Sequence, residues 1–321
     1  MRIATLQIAP SLGQREQNIT KANTLTSSLQ PGQVDLLVLP ELAFSGYNFP
    51  NLSAIQPFLE PTTSGQTTQW AIVNAKRLHC HIIVGYPEIY TNDDGQTTNF
   101  NSNVTVSPEG KVLNNYRKSF LYYTDETWAS EGFMSTTSKA PFFAGLLGDL
   151  GAVGQGICMD INPYRFEAPW SAYEFANRML EANVKMVVLS MAWLTRMLPA
   201  DLLVDPNAPD METVAYWVER FRPFVESSAG REIVVVFANR CGTEGNTAGS
   251  VEVENGQQVE EGDRVCYAGS SCVMKFEHGQ AKIFQRRSGH EPAVLGKGEE
   301  GLLIVDTKQP AQYVLQQRLA G

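Results

Sequence analysis

The sequence predicts an α/β protein with largely buried sheets, and two observations support this. Apolar runs of strand length recur along the 321 residues, and segments with helical spacing of apolar residues separate several of them. Strands alternating with helices are typical of sheets covered by helices. The predicted strands are 2–9, 35–39, 81–86, 102–107, 112–116, 151–157, 186–190, 233–239, 271–276 and 302–306.

Helices are predicted where apolar residues recur every three or four positions, as in 175–184 and 214–221, and a further helix is predicted at 66–78. Residues 108–111 (Pro-Glu-Gly-Lys) separate two strands and have the composition of a hairpin turn.

Two stretches interrupt the alternation. Residues 197–209 carry three prolines, and residues 242–264 are rich in Gly, Glu and Gln. We interpret both as loop insertions, each either a solvated loop or a lid that faces substrate. Because the chain shows no repeat and no linker, the sequence predicts a single domain over 1–321.

Composition excludes several classes of function. The 25 Lys and Arg against 34 Asp and Glu give a net charge of −9 without a basic stripe, so we expect no nucleic-acid partner. No apolar run reaches the length of about 18–20 residues that a membrane span needs, so we expect no membrane partner. The chain opens on a predicted strand rather than a signal peptide or a targeting extension, and we expect a cytoplasmic protein.

Cysteines and histidines give no metal or disulfide pattern. Five scattered cysteines and four histidines contain no CxxC pair. A metal at His79-Cys80-His81 is the alternative, but on a strand the two histidines share one face without a third ligand, and a structural role is favoured. We expect no metal and no cofactor.

Three chemically active side chains follow predicted strands. Glu41 comes after the apolar run 37–39 and a proline, Lys118 lies just beyond 112–116, and Cys158 ends 151–157. Residues beyond the carboxyl ends of strands line the ligand crevice of α/β folds, so the three can meet. Each alone has a structural explanation, as a helix-start carboxylate, a surface cation and a buried thiol.

Together the three residues have complementary chemistry. A thiol attacks only as thiolate and needs a base or a positive neighbour, which Glu41 and Lys118 can supply. We expect Gly154 and Gly156 to allow close approach of substrate, and a backbone N–H after Cys158 to form half of an oxyanion hole.

The order and spacing of these motifs resemble the nitrilase, or carbon–nitrogen hydrolase, superfamily. Two longer stretches, 156–169 and 190–194, resemble the branch of fungal protein N-terminal asparagine/glutamine amidohydrolases. The resemblance runs over almost the whole chain and rests on Pro-Glu at 40–41, Tyr-Arg-Lys at 116–118, Gly-Ile-Cys-Met-Asp at 156–160, Asn-Arg-Cys-Gly-Thr-Glu at 239–244 and Tyr-Ala-Gly-Ser-Ser at 267–271.

This resemblance implies a four-layer α-β-β-α sandwich and a Glu–Lys–Cys site. On that pattern Glu41 is the general base, Lys118 stabilises the oxyanion and Cys158 is the nucleophile. A second glutamate often follows the lysine. Glu126 has the usual spacing for it, with Asp125 and Glu131 close by.

Substrate recognition follows from the same resemblance. The backbone N–H of Met159 would share the oxyanion with Lys118. A buried carboxylate would bind the substrate α-ammonium, with Asp160 the first candidate and Asp125 or Glu131 the alternatives; a turn carboxylate held by backbone N–H groups is the structural explanation of Asp160. Trp193 either walls the pocket or belongs to the core.

The function implied is deamidation of N-terminal Asn and Gln of proteins or peptides, with release of ammonia, as a step of an N-degron pathway. The alternatives are an amidase for a small-molecule amide, nitrile or carbamoyl substrate, and a non-catalytic binding module. The expected partners are proteins or peptides with a free N-terminal Asn or Gln, and the sequence leaves open a monomer or a homodimer.

Overall fold

The protein, a computed structural model, is described over residues 1–135, 140–227, 231–245, 264–287, 289 and 291–315. Its strands are β1 (Arg2–Gln7), β2 (Leu36–Val38), β3 (Glu60–Pro61), β4 (His81–Thr91), β5 (Thr97–Val106), β6 (Val112–Arg117), β7 (Phe143–Leu146), β8 (Ala152–Ile157), β9 (Met186–Met191), β10 (Ile233–Asn239), β11 (Thr243–Glu244), β12 (Val265–Cys266), β13 (Cys272–Glu277), β14 (Gln280–Ile283), β15 (Gly301–Asp306) and β16 (Tyr313–Val314). Its α-helices are α1 (Arg15–Thr26), α2 (Leu52–Ile55), α3 (Gln66–Leu78), α4 (Tyr123–Glu126), α5 (Glu174–Glu181), α6 (Pro199–Leu203), α7 (Met211–Arg220) and α8 (Arg222–Glu226).

Two mixed sheets form the centre of the molecule. The first has the order β15-β1-β2-β4-β5-β6, with β3 paired to β4, and the second has the order β16-β14-β13-β10-β9-β8-β7. Parallel pairs lie in the middle of each sheet, where β1, β2 and β4 are neighbours in one and β8, β9 and β10 in the other. The carboxyl ends of β2, β8 and β9 carry the residues discussed below.

The two sheets pack face to face with helices outside. Val38 and Ile83 of the first sheet share a buried cluster with Ile157 and Val188 of the second. The opposite face of the first sheet packs on α1 and α3, and Trp217 of α7 stacks on Phe237 of β10 at 4.8 Å between ring centroids. The layer order is therefore α-β-β-α, which confirms the predicted fold class.

Most predicted elements are present, with differences in detail. The helix at 66–78 is α3, while residues 197–209 include the short helix α6 rather than loop alone. Of the predicted loop 242–264, β11 covers Thr243–Glu244 and residues 246–263 lie outside the described part of the chain. The single domain over 1–321 stays a prediction.

The His79-Cys80-His81 segment does not lie on one strand. His79 ends α3 with a left-handed backbone (φ 52°), and only His81 belongs to β4. The prediction that both histidines share a strand face is therefore wrong. Among the helices of the described ranges, none is both long and apolar enough to cross a membrane.

Candidate active site

Glu41 is held at the end of β2 by three donors. Its Oε1 accepts from Lys118 Nζ at 2.6 Å and Asn101 Nδ2 at 2.7 Å, and its Oε2 accepts from the Ala192 backbone N–H at 2.7 Å. The side chain is fully buried. Gly85 makes this position possible, because a Cβ there would lie 2.7 Å from Glu41 Cα.

Lys118 lies between two carboxylates directly after β6. Its Nζ is 2.6 Å from Glu41 Oε1 and 2.6 Å from Asp125 Oδ2, and all three side chains are fully buried. The ammonium also lies 5.7 Å from the ring centroid of Tyr47, whose phenol faces Asp125. The backbone fixes the lysine as well, since its N–H donates to Asn101 O at 2.7 Å.

Cys158 stands at a sharp turn after β8. Its backbone has φ +43°, a left-handed conformation that is rare for a residue with a side chain, and it begins a single 3₁₀ turn, Cys158–Ile161. Gly154 and Gly156 do not face substrate, contrary to our expectation. A Cβ at Gly156 would meet the Phe175 ring at 2.7 Å, so these glycines let α5 pack closely on β8.

Asp160 holds this turn together. Its Oδ1 accepts from the backbone N–H groups of Ser119 and Phe120, and its Oδ2 accepts from Ile157 N–H and the Tyr116 hydroxyl, at 2.7–3.0 Å. These four donors occupy both oxygens of the carboxylate, which is fully buried. The prediction that Asp160 binds the substrate ammonium is wrong on this geometry, and the turn carboxylate is what the structure shows.

The three predicted residues act on one another electrostatically. Burial, and then the Glu41 carboxylate, raise the pKa of the Cys158 thiol, against which Lys118 and the Ala192 N–H act. Burial also raises the pKa of Glu41, and Lys118 opposes this. Burial alone would lower the pKa of Lys118, but Asp125 and Glu41 together outweigh it and raise the pKa, so the lysine is charged. The free site thus pairs a neutral thiol with a charged lysine.

The second carboxylate at Lys118 is Asp125, not Glu126. Asp125 is fully buried in α4 and its Oδ2 also accepts from the Tyr122 N–H at 3.0 Å, whereas the Glu126 side chain is exposed. The turn of α4 points consecutive residues in different directions, which the spacing from Lys118 does not show. Because its oxygens are occupied, Asp125 is also unsuited to bind the ammonium, and Glu131 accepts from the Tyr164 hydroxyl at 2.8 Å.

Aromatic side chains pack against the buried cluster that contains Cys158. Trp193 follows β9, is half-buried and lies 5.2 Å from the Tyr216 ring. Tyr122 and Tyr216 pack against this cluster as well, and burial is the largest cause that raises the pKa of each. Trp193 therefore packs beside the cluster that holds the nucleophile. Its contact with substrate stays a prediction, as does the oxyanion role of the Met159 N–H.

Sequence reasoning missed four residues of this site: Tyr47, Asn101, Ala192 and Tyr216. Only Asn101 had a readable signal, since Asn99, Asn101 and Asn103 alternate in the sequence and share one face of β5, which begins before the predicted strand 102–107. Ala192 acts through its backbone N–H, and a pattern of side chains cannot predict such a contact.

The carbon–nitrogen hydrolase family matches residues 2–163. The chain is 33% identical to a protein N-terminal amidase of Schizosaccharomyces pombe, over 95% of this chain and 98% of that protein. It is 31% identical to a protein N-terminal amidase of Saccharomyces cerevisiae, over 60% of this chain and 45% of that protein.

Solved structures show the same fold. A crystal structure of N-terminal amidase with an Asn-Glu-Ala peptide has a TM-score of 0.73 at 21% identity and covers 99% of both chains. A second, with a Gln-Val peptide, has a TM-score of 0.71 at 21% identity and covers 95% of this chain and 96% of that one.

Proposed function

The chain belongs to the carbon–nitrogen hydrolase family, and from this premise we propose that it removes ammonia from N-terminal Asn and Gln of proteins and peptides. The observation that carries the proposal is the buried Glu41–Lys118–Asp125 network beside the thiol of Cys158. The similarity to an N-terminal amidase over 98% of that relative supports the choice of substrate.

Cys158 attacks the side-chain amide carbon of the first substrate residue while Glu41 takes the thiol proton. The neutral thiol and the buried carboxylate suit this transfer. A neutral thiol becomes nucleophilic only as its proton leaves, and burial raises the pKa of Glu41, which makes its carboxylate a stronger base. Glu41 then gives the proton to the departing ammonia, and the carbonyl carbon stays on sulfur as a thioester.

The oxyanion lies between Lys118 and the backbone N–H of Met159. Two of the three N–H bonds of the lysine point to Glu41 and Asp125, so within the described part of the chain the third can donate to a substrate oxygen. Each oxyanion donor contributes roughly 2.7–4 kcal/mol to lowering the barrier. Water that gives a proton to Glu41 attacks the thioester, releases Asp or Glu and restores the thiol.

The α-ammonium of the substrate lies against aromatic faces, with Glu131 the remaining candidate among the predicted carboxylates. Asp160 and Asp125 are occupied by other donors, while Trp193 and Tyr216 contact each other and pack against the cluster that contains Cys158. A cation over such rings gains about 0.5–2 kcal/mol, more as water is excluded. The product, an N-terminal Asp or Glu, is the form that we place in a cytoplasmic N-degron pathway, on the strength of the sequence resemblance.

The test measures ammonia release from five substrates, with Cys158→Ala as control. These are an Asn-peptide, a Gln-peptide, an N-acetyl-Asn-peptide, a peptide with internal Asn, and free asparagine. We expect turnover of the first two alone. Turnover of free asparagine or other small amides without the peptides would overturn the proposal in favour of a small-molecule amidase.

A further inference from the structure

An aromatic surface lies next to the Lys118–Asp125 pair, because the Tyr122 N–H donates to Asp125 Oδ2. It consists of Tyr122, Tyr123 and Phe166, which we call the aromatic shelf. The Tyr122 ring lies 5.1 Å from that of Tyr123 and 6.4 Å from that of Phe166, and the Tyr123 and Phe166 rings lie 6.1 Å apart. Tyr123 is 62% exposed and Phe166 46% exposed. Three mutually contacting rings at the surface form an apolar patch of the kind that marks binding sites.

The backbone holds Phe166 outward at a conformational cost. Arg165 and Phe166 both have left-handed backbones, with φ 54° and 55°, a region that disfavours large side chains. Hydrogen bonds of the surrounding turn maintain it, including Phe166 N–H to Pro163 O at 2.9 Å and Glu167 N–H to Tyr164 O at 3.0 Å. The turn therefore presents a ring to solvent instead of burying it.

Tyr122 connects the shelf to the nucleophile. One side of its ring packs against the buried cluster that contains Leu42 and Ala192, and Ala192 is the residue whose N–H holds Glu41. Tyr122 also packs against the buried cluster that contains Cys158, and its backbone N–H donates to Asp125 Oδ2 at 3.0 Å. Tyr122 thus connects the residues around Cys158 to the rings of Tyr123 and Phe166.

We propose that the aromatic shelf binds the side chain of the second residue of the substrate and favours aromatic and large aliphatic side chains there. The inference rests on the proposed function, which places the first residue over Cys158. Consecutive Cα atoms are about 3.8 Å apart, so the second side chain leaves the pocket within reach of the ring beyond Tyr122. Ring-on-ring packing is the interaction the shelf offers, because Tyr123 and Phe166 are exposed and uncharged.

The experiment compares kcat/KM for matched Asn-Phe, Asn-Leu and Asn-Gly peptides. For the wild-type protein we expect the Asn-Phe peptide to exceed the Asn-Gly peptide by about tenfold, mainly through KM. Tyr123→Ala and Phe166→Ala should each lower this ratio, and the double variant should bring it close to one. Val73→Ala is the matched control, since Val73 is equally exposed, at 62%, but lies on α3 across the molecule.

Melting temperatures of each variant verify folding, and the two single substitutions serve as independent checks if one of them unfolds. A wild-type ratio near one, with Asn-Gly turned over, would overturn the shelf and leave the proposed function standing. An Asn-Phe to Asn-Gly ratio that stays at the wild-type value in the double variant would overturn the proposed role of the shelf as well. Failure to turn over any of the three peptides would instead overturn the proposed function.

Discussion

The ammonium of Lys118 and the carboxylate of Asp125 form a fully buried ion pair, with 2.6 Å between Nζ and Oδ2. The same ammonium contacts Glu41, so two carboxylates share one cation. Burial is the largest cause that raises the pKa of Glu41, and the negative charge of Asp125 raises it further. Asp125 therefore positions the lysine and adjusts the base.

Asp125→Asn should move the acidic limb of the pH profile to lower pH. Catalysis needs ionised Glu41 and is lost as pH falls through its pKa, which lies above the usual value. Removing the charge at 125 lowers that pKa and weakens the base, so we expect kcat to fall by about 10²-fold. The measurement is kcat/KM for an Asn-peptide between pH 4 and pH 8.

Glu126→Gln is the matched control, because its exposed side chain points away from the lysine. We expect its profile to overlay that of the wild type. If Glu126→Gln shifted the limb and Asp125→Asn did not, the assignment of the second carboxylate would return to the usual spacing.

Glu41→Gln should separate thiol reactivity from turnover. The Glu41 charge raises the pKa of Cys158, so its removal leaves Lys118 to favour the thiolate. We expect alkylation of Cys158 by iodoacetamide at pH 8 to accelerate by about tenfold, the effect of one pKa unit, while ammonia release is lost because no base remains.

Mass spectrometry of the peptide that contains Cys158 measures this labelling, and Cys158→Ala sets its background. The other four cysteines are buried as well and serve as internal references. Slower labelling in Glu41→Gln would mean that Glu41 activates the resting thiol, contrary to the neutral thiol that we infer.

The sequence was sufficient to predict which residues follow the ends of the strands. It was insufficient to predict how the turns after the strands orient their side chains. Glu41 and Lys118 follow β2 and β6 of the first sheet, which run in the same direction, and Cys158 follows β8 of the second. The packing of the two sheets face to face brings these strand ends together. Asp125 was assigned less weight than Glu126 because a turn of four residues decides which of the two points inward, and neighbouring residues there have similar chemistry.

Helix α1 shows a second kind of failure. Its 12 residues lack an apolar stripe, and its buried residues are Asn18, Ala22 and Thr26. Asn18 replaces apolar packing with hydrogen bonds, donating to Ser11 O and to Phe44 O, both at 2.8 Å. A helix that docks through polar contacts has no period of apolar residues to recognise.

Asp160→Asn should cost stability without changing how the substrate is recognised. An amide oxygen can accept from two of the four donors that Asp160 holds, so about two buried donors lose their acceptor, at roughly 1–3 kcal/mol each. Urea unfolding measures this loss. The remaining activity should still reject N-acetyl-Asn peptides, and a stable variant that accepted them would restore Asp160 as the ammonium ligand.

Gly85→Ala should impair catalysis by moving Glu41. A Cβ at Gly85 would lie 2.7 Å from Glu41 Cα, Leu42 N and Pro40 O, which are backbone atoms that cannot rotate away. The strand end must therefore shift, and a displacement near 1 Å in a catalytic group can cost about 10²-fold in rate. We expect kcat for an Asn-peptide to fall by that factor, while the KM changes little because the pocket walls stay in place.

Gly301→Ala provides the comparison for this effect. Gly301 also lies in the first sheet, at the start of β15, but a Cβ there would meet no atom within 4 Å. We expect its kcat to remain within about twofold of the wild type, since the substitution adds a methyl group to open space. Equal loss of kcat in both variants would show that the sheet, rather than the position of Glu41, responds to the added methyl group.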